Sequence, residues 1–192
     1  MLNRFLVLLL LCSPQVQAQN NWASQLSKAA LELTKDDVVY DPSYYQIPYP
    51  NGDVPADRGV CTDVVVRAYR KLGVDLQKLV HEDMVANFKL YPQKWQLKGP
   101  DSNIDHRRVP NLMKFFSRKG QTLSLSQSSK DYKAGDIVCW DLGGGILHIG
   151  LVVDRLSADG TPMIVHNIGS GQVLADCLFQ FTIIGHYRYS GQ

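Results

Sequence analysis

The sequence has no apolar run long enough to cross a bilayer, no internal repeat, no low-complexity tract, and no block of like charge beyond the pair Arg107-Arg108. A membrane-spanning helix needs roughly 20 apolar residues, and the longest run, Phe5–Leu11, falls far short. Twenty Lys and Arg against eighteen Asp and Glu leave a formal charge of +2, which gives no strong electrostatic case for nucleic acid. The four cysteines include no Cys-x-x-Cys, and the five histidines include no i, i+4 pair, so no strong zinc pattern is present. Cys61, His148 and His166 could together ligate zinc as one Cys and two His, but no short-spaced pair supports that, and neither metal nor cofactor is expected.

What is present at the N-terminus is a short basic start, Met1–Arg4, the apolar run, and Val16-Gln17-Ala18 ending in a small residue. That is the pattern of a secretory signal peptide over residues 1–18, removed on export to the periplasm or beyond. Cys12 follows Leu11, where a lipid-attachment signal requires something small. Residues 19–192 then suit one domain with enough chain to bury a core, expected to be monomeric. Three cysteines remain: Cys61, Cys139 and Cys177. An odd number in an oxidising compartment leaves at least one thiol free. Either Cys139 pairs with Cys177 or all three are free; Cys139 fits as a small apolar filler in a strand, so three free thiols are expected.

Apolar periodicity predicts a helix over residues 22–35, a second from Cys61 to Leu72 stopped by Gly73, a third capped by Asp75 and running to about Phe88, and a fourth opened by Pro110 and ending near Gly120. Residues 40–59, with six prolines or glycines and four tyrosines, cannot form a long regular element. After Gly120 the pattern changes. Strands are predicted at Asp136–Leu142, Ile146–Asp154, Met163–Ile168 and Thr182–Tyr189, with hairpin signals at Gly143-Gly144-Gly145 and Asp159-Gly160. Helices followed by an antiparallel meander read as α+β.

Cys61 follows a Gly-containing irregular segment and opens a helix. The first N–H groups of a helix have no internal partner and its dipole favours negative charge there, so the thiol pKa should fall and the amides can hold an oxyanion. His148 opens the apolar strand His-Ile-Gly-Leu-Val-Val, and His166 lies on the next strand. Gly150 allows a close approach beside them. A hairpin can bring the two histidines onto one face, giving nucleophile, base and orienting group. Asn167 competes with His166 as orienter, because successive strand residues face opposite sides, and is otherwise a candidate substrate-binding residue. Asp105, His106, Arg107 and Arg108 form a polar run able to grip a carboxylate, or else to cap the helix that Pro110 starts. Tyr49 or Tyr45 can line the cleft, although aromatic packing is the commoner role.

A helix that begins with Cys, a strand that begins His-Ile-Gly-Leu-Val-Val and a strand that ends Val-His resemble the papain-like cell-wall hydrolases of the NlpC type. More closely, Gly59-Val60-Cys61-Thr62-Asp63-Val64, Asn103 to Asn111 and His166-Asn167-Ile168-Gly169 resemble the bacterial group catalogued as domain of unknown function 1287, over roughly residues 36–189. The resemblance implies a papain-like fold and a Cys61-His148-His166 triad that hydrolyses amide bonds of peptidoglycan peptides through a thioester. The remaining alternative is an exported, non-catalytic domain that binds wall peptide on the same fold.

Overall fold

The computed structural model describes residues 14–191. Residues 1–13, most of the expected signal segment, lie outside the described residues, and the first helix, α1 (Pro14–Leu33), takes in the last part of that segment. Among the described residues no helix is long and apolar enough to cross a membrane.

After α1 the chain forms β1 (Val39–Tyr40) and β2 (Arg58–Gly59), then α2 (Cys61–Lys71), α3 (Leu76–Asn87) and α4 (Val109–Lys119). Then come β3 (Gln121–Thr122), β4 (Ile137–Asp141), β5 (Leu147–Leu156), β6 (Pro162–His166), β7 (Val173–Ala175) and β8 (Thr182–Arg188). The helix order matches expectation, and local chemistry explains its boundaries. Gly73, at φ +79, takes the left-handed conformation that ends α2. The Asp75 carboxylate accepts the Lys78 N–H at 3.2 Å to start α3. The valines of α2 would suit a strand, but Val64, Val65, Ala68 and Tyr69 are all fully buried against the sheet and α1, and that burial outweighs β propensity.

The six strands from β3 to β8 form one antiparallel sheet in the order β3-β8-β4-β5-β6-β7. The C-terminal strand therefore lies inside the sheet, between β3 and β4. Helices cover one face, where Leu26, Val65, Leu112 and Phe116 pack with Cys139, Ile149, Leu151 and Val165. A smaller core covers the other face, with Tyr132, Val138, Trp140, Val152, Ile164, Cys177 and Leu178. β4 and β5 are buried on both faces, which is why they read as continuous apolar runs. β1 and β2 pair in parallel as a separate clip just before Cys61, tied by Val39 N–H to the Asp57 carbonyl and Asp41 N–H to the Gly59 carbonyl.

All three described cysteines are free. Cys139 and Cys177 belong to cores on opposite faces of the sheet, so they cannot bridge without rebuilding it. A chain of residues 19–192 is expected to give three thiols in a denatured thiol count; a count of one would mean that two are bridged.

Candidate active site

Three elements converge on the first turn of α2. Val60, in extended conformation, precedes Cys61, and its N–H donates to the Asp63 carboxylate at 2.7 Å. The parallel clip presses Tyr40 into the same place, so that Tyr40, Val60 and Cys61 line one cleft of about 360 Å³. The start of β5 carries His148 and the end of β6 carries His166; the contact of β5 with Cys61 is through the Ile149 amide, and neither histidine is among the cleft-lining residues.

The histidines meet as their alternation predicts. In the β5–β6 register Leu151 faces Val165, which places His148, Gly150 and His166 on one face. His148 Nε2 lies 2.8 Å from His166 Nδ1. Gly150 makes this possible: a Cβ there would come within 3.2 Å of the His166 Cβ and 2.7 Å of an Ile164 methyl. Behind His166, its Nε2 meets the Cys177 sulfur at 3.8 Å. Trp140 flanks His148 with ring centroids 5.8 Å apart. Asn167 points elsewhere. Its side-chain amide donates to the Gly59 carbonyl at 3.2 Å and its oxygen accepts the Gly169 N–H at 3.1 Å, which ties β6 to the strand just ahead of Cys61.

The electrostatics correct one sequence expectation. The Cys61 thiol does not sit below its ordinary pKa: burial pushes it up to about 12, against the pull of the Ile149, Thr62 and Cys61 amides, with Asp63 adding to the rise. Burial, then the neighbouring His166, holds His148 down to about 3. Desolvation of a site 6 % exposed at Cys61 and 4 % at His148 outweighs the helix N-terminus. The resting pair is therefore a neutral thiol and a neutral imidazole. Among the described residues no hydrogen bond joins Cys61 to His148; the sulfur meets the backbone amide of Ile149, the residue after His148.

The polar run 105–108 is divided by the fold. Asp105 is fully buried, accepting from Asp101 N–H at 2.8 Å and facing His81 Nδ1 at 2.9 Å. His106 is buried and held down to about 3, mainly by desolvation. Arg107 borders the cleft, but its guanidinium is committed to Asp63 (Nε to Oδ1 3.0 Å, Nη2 to Oδ2 3.1 Å) and donates to the Ser43 and Asp41 carbonyls. A ligand carboxylate at Arg107 would have to displace all of these contacts, and Asp105 and His106 are buried away from the cleft lining. Tyr49 lies outside the cleft lining, edge-on to His81 at 5.2 Å, and Tyr45 donates to Asp41 at 2.6 Å. The tyrosine beside Cys61 is Tyr40, which sequence reasoning passed over; its place depends on β1, too short to show a pattern. The reading also missed Trp95, which lines the cleft with Arg108. Among the described residues no cluster of three or more His, Cys, Asp or Glu is placed to hold a metal ion.

The sequence matches the family described as "Domain of unknown function (DUF1287)" over residues 27–189, and the chain belongs to that family. It is 55% identical over 175 residues to "Uncharacterized protein YijF" of Escherichia coli (strain K12), covering 91% of this chain and 84% of that one. Among solved structures, an N-acetylmuramoyl-L-alanine amidase from Bacteroides uniformis ATCC 8492 superposes with a TM-score of 0.50 at 13% identity, over 88% of this chain and 98% of that one. NlpC1 from Trichomonas vaginalis gives a TM-score of 0.45 at 16% identity, over 87% of this chain but only 45% of that one. The α+β fold, helices on an antiparallel sheet, is thus shared with the Bacteroides uniformis amidase structure.

Proposed function

We propose that this DUF1287 chain is an exported cysteine hydrolase that cuts an amide bond in peptidoglycan peptides, with Cys61 as nucleophile, His148 as base and His166 as the residue that orients the base. One observation carries the reading: the His148–His166 hydrogen bond uses Nε2 of His148 and leaves Nδ1 free. If His148 Nε2–H donates to His166 Nδ1, then His148 Nδ1 keeps its lone pair, and His166 Nε2–H points at the Cys177 sulfur. This is the tautomer a general base needs.

In the proposed cycle His148 Nδ1 takes the thiol proton as the sulfur attacks the amide carbon. The resulting imidazolium is stabilised through the His166 lone pair. The oxyanion is held by the first amides of α2 and the Tyr40 hydroxyl. Collapse breaks the C–N bond, and His148 gives its proton to the leaving amine. Water, deprotonated by His148, then hydrolyses the thioester and restores the thiol. Because the resting pair is neutral, proton transfer accompanies attack, and substrate must draw Cys61 and His148 together. Hydrogen bonds of this kind commonly tighten only in the substrate complex. The fold shared with a cell-wall amidase and the signal-like N-terminus support the substrate class and the location.

The high thiol pKa favours a second reading, a non-catalytic domain that binds wall peptide in the same cleft. Digestion of purified peptidoglycan followed by mass spectrometry separates the two: new peptide or amine ends support hydrolysis, and unchanged fragments with a folded protein count against it. Within the hydrolase reading, His166→Ala is expected to lower kcat roughly 10²-fold or more, as expected for loss of a group that holds a base in position. Asn167→Ala should act mainly through stability. A larger kcat loss at Asn167 would overturn the assignment of His166.

A further inference from the structure

The cleft over Cys61 carries a charge imbalance that amide hydrolysis alone does not use. Its lining contains Lys94, Arg107 and Arg108 and no acidic residue. Asp63 neutralises Arg107. Arg108 differs: among the described residues no carboxylate comes within 4 Å of it, and its Nη1 is shut off from solvent with no hydrogen-bond partner. A buried donor without a partner is rare and costly; Asp105 and Asp101 act on the guanidinium only from beyond ion-pair distance, and the Arg108 side chain as a whole lines the cleft.

Its setting is built. The Arg108 guanidinium lies 4.2 Å from the centroid of the Trp95 ring. Trp95 is half exposed, and both it and Gln96 hold left-handed backbone, at φ 59 and φ 53, which side chains other than glycine and asparagine seldom adopt. The chain thus accepts a strained turn that places an aromatic ring against an arginine at the lip of the cleft. A guanidinium stacked on an aromatic keeps its N–H edge free, and that edge matches a carboxylate in a bidentate pair. Arg108 also precedes Val109 at the start of α4, so its backbone is fixed by the helix.

We propose that Arg108, braced on Trp95, is a subsite for a free carboxylate of the bound peptide, so that the protein distinguishes peptides bearing that carboxylate from those in which it is a carboxamide. The inference deepens the hydrolase reading by naming a feature of the substrate, but binding alone can test it. Lys94, exposed on the same lining, adds charge without fixed geometry.

The test uses the Cys61→Ala chain and a peptidoglycan stem tetrapeptide, together with copies in which each carboxylate in turn is a carboxamide, with affinity measured by calorimetry. One of the amidated peptides is expected to bind about 10- to 100-fold more weakly, the size of a lost charged hydrogen-bond pair. Arg108→Gln should weaken the unmodified peptide similarly and abolish the distinction, and Arg108→Lys should restore only part of it. Equal affinity for every amidated copy, or discrimination that survives in a folded Arg108→Gln chain, overturns the subsite. With Cys61 intact, kcat/KM on the same peptides is scored separately. Carboxylate-dependent binding without turnover keeps the subsite and sinks the hydrolase reading; equal turnover of free and amidated peptides does the reverse. A folded chain that neither binds nor cleaves any of them overturns both.

Discussion

If the proposed hydrolase cycle holds, Cys61→Ala is expected to abolish hydrolysis, by about 10⁴-fold or more, the scale seen when the nucleophile of a catalytic triad is removed. The variant should remain folded. Cys61 packs at the edge of the helix-side core, and losing one sulfur there costs far less than losing a large side chain. The pH dependence is more informative than the loss itself. In the resting protein the thiol is pushed up to about 12 and His148 is held down to about 3. A thiolate–imidazolium pair would alkylate fast from mildly acid pH and level off before neutrality. A neutral pair instead predicts alkylation by iodoacetamide that is slow at pH 7 and still rising at pH 10. A plateau below pH 7 would show that the ion pair already exists without substrate. Activity retained in Cys61→Ala would remove the nucleophile from the proposal altogether.

The same two pKa directions show which parts of the site sequence can carry. Period-2 alternation along two strands and a glycine between them suffice to place His148 against His166, because strand geometry leaves a side chain only two faces. That His166 and not Asn167 faces His148 follows from the register, which the hairpin length alone did not fix. The thiol pKa was not legible. A helix N-terminus is visible in the sequence, but the desolvation opposing it comes from β4 and β5 packing over the sulfur, and that is a tertiary fact. Sheet order was hidden for a similar reason: nothing in Thr182–Arg188 says that the last strand inserts beside β4 rather than adding at an edge. Two-residue strands such as β1 and β2 carry no periodicity, so the clip that brings Tyr40 to Cys61 could not be foreseen. The run 105–108 misled in an instructive way. Adjacent arginines look equivalent in a sequence, yet one faces Asp63 in the interior and the next faces the cleft.

That difference sets the second large expectation. Arg107→Ala should destabilise the protein by about 3–5 kcal/mol, the usual cost of removing one partner of a buried ion pair. The Asp63 and Arg107 side chains are 3% and 2% exposed, so the carboxylate left behind cannot regain water without opening the structure. Removal also strips the Ser43 and Asp41 carbonyls of their donors and loosens the segment that follows Tyr40. An arginine that merely waited for a ligand would change stability by no more than about 0.5 kcal/mol. Urea unfolding separates the cases: a shift equivalent to less than about 1 kcal/mol would return Arg107 to the role of a substrate-binding residue. The double variant Asp63→Leu, Arg107→Met should recover much of the stability, because an apolar pair of similar volume removes both buried charges. It should not recover activity. Asp63 also accepts the Val60 N–H at 2.7 Å, immediately before Cys61, so the apolar pair rebuilds the core while releasing the contact that holds the residue ahead of Cys61. Full activity in a stable double variant would mean that this ion pair holds the fold together without positioning Cys61.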